Sequence, residues 1–108
     1  MTTLSTHVLD TERGVPAAGV GVSLHLAGRE ISHALTNSDG RIPDLSGGQL
    51  EPGAYRLEFD LAAYFQGLGR SAPFLERVSI QFRVASTDVH LHVPLLLAPY
   101  AATTYRGS

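Results

Sequence analysis

The stretch Val20-Gly21-Val22-Ser23-Leu24-His25-Leu26-Ala27 places Val20, Val22, Leu24 and Leu26 at every second position, with Gly21, Ser23, His25 and Ala27 between them. Successive side chains of an extended chain point to opposite faces, so this alternation describes a strand with one buried and one wet face. Glu30 to Thr36 alternates again, with Ile31, His33 and Leu35 on one face, and Gly28-Arg29 reads as the hairpin turn between the two strands. Asn37-Ser38-Asp39-Gly40 is a cluster of turn formers that closes the unit.

Upstream, Leu4 to Asp10 is a first strand that stops at Gly14-Val15-Pro16. Downstream, the glycines and prolines of residues 41–54 describe a long loop with at most a short strand, and Tyr55 to Phe59 resumes the alternation. The one helical signal follows: Asp60 can cap it, Leu61, Tyr64, Phe65 and Leu68 fall at helical spacing, and Gly67 and Gly69 can end it. Val78 to Val84 and Val89 to Leu97 are further strands, and Ala102 to Tyr105 is a candidate for the last. Seven or eight short strands with glycine and proline turns and one short helix predict an all-β two-sheet sandwich. The alternating apolar sets are its expected core.

With 108 residues, the chain suits a single domain spanning residues 1–108. The absence of cysteine excludes disulfide scaffolds, thiolate metal sites and thiol catalysis. All eight basic residues are arginine, set against ten acids and a net charge of −2, so the basic excess needed to bind nucleic acid is missing. Only 17% of residues are charged, which points to a surface partly covered by other subunits. No apolar run is long enough to span a membrane, and the opening residues lack a basic region followed by an apolar one, so cytoplasmic residence is expected.

Histidine is the chemically unusual residue. His90 and His92 are two apart and share a strand face, opposite Val89, Leu91 and Val93. Such a pair can ligate metal, but no third ligand stands at a diagnostic spacing, so no metal is expected. His7 shares a face with Ser5 and Leu9, opposite Leu4, Thr6 and Val8. His25 and His33 belong to no motif and read as structural or exposed, and Arg41 follows a turn with a planar guanidinium suited to carbonyl-rich ligands. Glu12, Glu51, Glu58 and Glu76 form no paired-acid motif, the glycines fit no phosphate loop, and no serine sits in a nucleophile elbow.

Four segments together carry a specific resemblance: Leu4-Ser5-Thr6-His7-Val8-Leu9-Asp10, Asp39-Gly40-Arg41, His92-Val93-Pro94-Leu95-Leu96-Leu97 and Tyr105-Arg106-Gly107-Ser108. In this order they resemble the signature segments of the transthyretin-related 5-hydroxyisourate hydrolases. The final tetrapeptide is the feature that separates those enzymes from the hormone-carrying transthyretins. Leu91, where many members have tyrosine, and Ala98 and Ala101-Ala102 depart from the family pattern.

The resemblance implies a transthyretin-like sandwich assembled as a homotetramer, with sites in a channel where two dimers meet. It implies His7, Arg41, His92 and Ser108 as catalytic residues. His7, Arg41, Tyr105, Arg106 and Gly107 would bind substrate, and no cofactor is called for. The implied reaction opens the six-membered ring of 5-hydroxyisourate by amide hydrolysis, giving 2-oxo-4-hydroxy-4-carboxy-5-ureidoimidazoline in urate catabolism. His92 or His7 would activate water, Arg41 would polarise the attacked carbonyl, and the hydroxyl and α-carboxylate of Ser108 would hold water or substrate. The alternative is a non-catalytic carrier of a small aromatic ligand.

Overall fold

The computed structural model describes residues 2–108, which form ten strands and one helix among the described residues. Strand β1 (Thr3–Asp10) is the axis of the first sheet. It pairs antiparallel with the two-residue strands β2 (Val15–Pro16) and β5 (Arg41–Ile42), and parallel with β8 (His90–His92) and β9 (Leu95–Leu97). Strand β10 (Ala102–Thr104) completes this six-stranded sheet against β9. The second sheet runs in the order β4 (Arg29–Leu35), β3 (Gly21–Leu26), β6 (Gly53–Asp60) and β7 (Arg77–Val84). The run expected as one strand from Val89 to Leu97 is divided by Val93-Pro94, because proline has no N–H to give to the ladder.

The predicted alternation of β1 holds along its length: Leu4, Thr6, Val8 and Asp10 are buried, and Thr3, Ser5, His7 and Leu9 are half-buried on the other face. The inward set meets Val22, Leu24, Leu57 and Phe59 of the second sheet in one core, together with Leu95 and Leu97. Phe59 and Phe65 are fully buried, and truncating either to alanine costs about 3–5 kcal/mol by the usual cavity penalty.

In β4 the expected faces are reversed. The ladder between β3 and β4 shifts register at Leu24/His25, so that Ser32 and Ala34 stand opposite Leu24 and Val22 while His33 pairs with Ser23 on the outer face. Leu35 is 68% exposed, and Ile31 sits at the irregularity, packed on the core edge. One extra residue turns every later side chain to the other face, which alternation along one strand cannot reveal. The hairpin turn also lies one residue earlier than expected, at Ala27 and Gly28, both with positive φ (52° and 79°), the requirement of the tight turn that matches strand twist.

Helix α1 (Leu61–Gly67) starts as predicted, with the Asp60 carboxylate accepting from the Ala63 N–H at 3.1 Å, and buries Leu61, Tyr64 and Phe65. Its end is a reversal in which the Arg70 N–H donates to the Phe65 carbonyl and the Gly69 N–H to that of Gln66, with Gly69 at φ +66°. The turn lays the Arg70 guanidinium over the Phe65 ring and onto Asp10 at the end of β1. Asp10 is fully buried and also accepts from the Tyr64 hydroxyl at 2.8 Å and the Arg13 N–H at 3.1 Å. Burial works to raise its pKa, yet the bonds from Arg70, Tyr64 and Arg13 outweigh this and hold it below the usual value.

Candidate functional site

The outward face of the first sheet collects the chemically active residues. Pairing in register sets Thr3 beside His90, Ser5 beside His92 and His7 beside Arg41, so three strands far apart in sequence present their side chains to one surface. Parallel pairing of β1 with β8 is what places the two histidines of His90-Leu91-His92 next to the first strand, and it buries Leu91 in the core.

Arg41 is held by the turn before it. The Asn37 side-chain oxygen accepts from the N–H groups of Asp39 and Arg41, and Gly40 takes φ +75° while the Val8 N–H donates to its carbonyl at 2.7 Å. A Cβ on Gly40 would collide with the Val8 carbonyl oxygen, so only glycine allows β5 to approach β1. The Arg41 guanidinium has no ion-pair partner among the described residues.

His92 is held on two sides. Its Nδ1 meets the Ser5 hydroxyl at 2.7 Å, which leaves Nε2 as the nitrogen available for chemistry. Its carbonyl accepts from the Gly107 N–H at 2.7 Å, and the ring lies so close that a Cβ on Gly107 would stand 2.5 Å from His92 Cδ2. This contact brings Ser108 to the site: Ser5, Arg41, Pro43, His90, His92 and Ser108 line one open cavity of about 300 Å³. Burial, followed by the charges of Arg41, His7 and His90, lowers the His92 pKa below the ordinary histidine value of 6.5. The ring is therefore neutral near pH 7 and able to accept a proton.

His7 stands beside this cavity rather than in its wall, with Nε2 at 2.9 Å from the Asp39 carbonyl. Since a carbonyl can only accept, Nε2 carries a proton. Tyr105 and Arg106 line a separate cavity of about 180 Å³ with Ile80, Phe82, Leu91 and Val93. Arg106 also pairs with Asp88 at 3.2 Å, tethering the segment that delivers Gly107 and Ser108.

Ser5 was not singled out by sequence reasoning. Its position two residues before His7 on the same face was legible, but its contact with both His90 and His92 depends on a pairing across more than eighty residues. Among the described residues no group of three or more His, Cys, Asp or Glu side chains is arranged to hold a metal ion. The His90 and His92 rings are spanned instead by the Ser5 hydroxyl.

Residues 4–107 match the model of the HIUase/Transthyretin family. A 5-hydroxyisourate hydrolase of Deinococcus radiodurans is 48% identical, over 97% of this chain and 95% of the relative. The structure of Klebsiella pneumoniae 5-hydroxyisourate hydrolase superimposes with a TM-score of 0.92 at 42% identity, covering 100% of both chains. Sea bream transthyretin, solved in complex with thyroxine, is more distant: its TM-score is 0.85 at 30% identity, over 96% of this chain and 93% of that one.

Proposed function

The chain belongs to the HIUase/transthyretin family, and from that premise we propose that it is a 5-hydroxyisourate hydrolase, working through His92, Arg41, Ser108 and His7. The observation that carries this reading is the single cavity that unites a neutral, half-buried histidine, an arginine without a carboxylate partner and a serine hydroxyl. A carrier of an aromatic ligand has no use for that combination.

In the proposed reaction His92 Nε2 takes a proton from water as the oxygen attacks a carbonyl carbon of the six-membered ring. Arg41 stabilises the oxyanion, with two parallel N–H groups that lysine could not offer. The C–N bond then breaks, and the proton returns from His92 to the departing nitrogen, giving a carboxylate and a ureido group. The Ser108 hydroxyl positions the water, and His7, beside Arg41, holds the ring through Nδ1. Gly107 sets the distance between His92 and Ser108, while Tyr105 and Arg106 shape the segment that carries them. No cofactor enters this scheme.

A homotetramer is part of the proposal. Its support is the edge strands β7 and β10, which lack a further partner strand, together with the exposed Leu35, Phe74, Val89 and Tyr100 side chains. Light scattering at micromolar concentration should give four times the chain mass. Cytoplasmic residence also stays a proposal, to be checked by cell fractionation; among the described residues no helix is long and apolar enough to cross a membrane.

The deciding experiment follows the absorbance of freshly made 5-hydroxyisourate with and without the protein. Accelerated decay is expected, severely reduced when Tyr105 to Ser108 are deleted while the fold survives. No acceleration by the intact protein would overturn the assignment in favour of a carrier.

A further inference from the structure

The site contains a hydrogen-bond chain that the proposed reaction has not used. Thr3 Oγ1 lies 2.6 Å from His90 Nδ1, His90 Nε2 lies 2.8 Å from Ser5 Oγ, and Ser5 Oγ lies 2.7 Å from His92 Nδ1. Both nitrogens of His90 and one of His92 are thus engaged by hydroxyls, and a serine has a single proton to give. It can donate to one ring at most, and where it does so it accepts from the other. With the hydroxyl proton set between the rings, one ring's tautomer fixes the other's.

We propose that Ser5 and His90 are positioning residues that lock His92 with its proton on Nδ1 and draw off the charge that His92 acquires when it takes a proton from water. The inference rests on the reading of His92 as the base. In the resting chain His92 Nδ1–H donates to Ser5 Oγ, Ser5 O–H donates to His90 Nε2, and His90 Nδ1–H donates to Thr3 Oγ1. Once Nε2 has taken the water proton, the Nδ1 proton moves to Ser5 Oγ and the serine's own proton moves to His90 Nε2. The chain then holds one proton more than at rest, the one taken from water: His92 is neutral with its proton on Nε2, and His90 has become the imidazolium. The chain runs in reverse as Nε2 gives its proton to the leaving nitrogen, so that His92 regains its Nδ1 proton in the same step and the start is restored.

The surroundings favour this direction of travel. His92 is half-buried and faces His7 from β1, Arg41 from β5 and His90 from β8, all of which disfavour a charge on it. His90 is exposed and lies within the field of the Asp44 carboxylate, which Ser46 holds ionised through its hydroxyl and N–H. His92 thus sits among neighbours that oppose a charge on it, while His90 is open to water and has a carboxylate in its field.

Imidazole nitrogen NMR on histidine-labelled protein tests the lock without substrate. Wild type should show His92 protonated at Nδ1, Ser5→Ala should move it toward the Nε2–H form that free imidazole prefers, and Ser5→Thr should keep the wild-type tautomer. In turnover, Ser5→Ala should lose on the order of 10-fold to 100-fold in kcat with KM within about two-fold, and Ser5→Thr should recover most of it. His90→Gln, which can hydrogen-bond Ser5 but cannot hold the proton, should also lower kcat, with KM within about two-fold. An unchanged His92 tautomer or an unchanged kcat in Ser5→Ala overturns the proposal. A wild-type protein that shows the tautomer lock but no hydrolysis counts against the assigned reaction and leaves the lock standing.

Discussion

The outer faces of the two sheets carry almost the same residue types and put them to different ends. On the first, Ser5, His90, His92, His7 and Arg41 meet beside a cavity of about 300 Å³. On the second, Ser23, His25, His33 and Arg77 line a cavity of about 390 Å³, joined there by Glu30 and Glu58. The carboxylates make the difference. Glu58 lies 2.8 Å from Arg56, 3.5 Å from Arg77 and 3.9 Å from His25, and Glu30 lies 2.9 Å from His33. Each arginine and histidine lining that cavity has an acid beside it, whereas the histidines of the first face meet hydroxyls and a carbonyl. Chemistry at a sheet face needs polarity left unanswered, and pairing with carboxylates removes it.

The sharpest way to break this comparison is to remove one group from each face. His92→Asn or Arg41→Ala should lower kcat/KM by roughly 10²- to 10⁴-fold with little change in Tm. His25→Asn should leave the same 5-hydroxyisourate assay within about two-fold of wild type. Loss of activity in His25→Asn would mean that the second face takes part after all.

Glycines give the next contrast. Gly107→Ala drives a Cβ into the His92 ring and should cost on the order of 10²-fold in kcat while the protein remains folded. Gly67→Ala meets nothing within 4 Å and should stabilise the helix by about 0.5–1 kcal/mol with full activity. Thermal melts and turnover on the same samples check both.

Asp10 sharpens the comparison from the core side of the first sheet, where an acid does meet a cation. Its folded pKa lies below the free value, so its contribution to stability is complete above about pH 4 and is lost as the pH falls through the folded value. Asp10→Asn should cost about 2–3 kcal/mol at pH 7 and flatten the acid limb of the stability curve, as read by urea denaturation between pH 2 and 7. The smallest effect is expected on the second face, where Glu30→Gln breaks a pair with half-exposed or more exposed partners and should change stability by less than about 0.5 kcal/mol.

Much of the first sheet could be read in advance, because β1 keeps strict alternation and His7, Ser5 and Leu9 stand on the face it predicts. The helix was equally plain, since Asp60 and the spacing of Leu61, Tyr64 and Phe65 act locally. What escaped depends on distance or on one irregular residue. The slip at Leu24/His25 sends His33 and Leu35 outward, and nothing within β4 announces it. The partnership of Asp10 with Arg70 requires knowing that a turn sixty residues on is aimed back at β1. The convergence of His92, Arg41 and Ser108 came from family resemblance alone, because neither the parallel β1–β8 pairing nor the Gly107 contact has a local signature.

The parallel pairing of β1 also sets an order of events during synthesis. β1 leaves the ribosome some eighty residues ahead of β8 and β9, the strands that flank it in parallel. β3, β4 and β6 can meanwhile zip together across at most some forty residues. Until residues 90–97 are free, β1 is a naked strand edge open to the wrong partner, including the same strand on a neighbouring nascent chain.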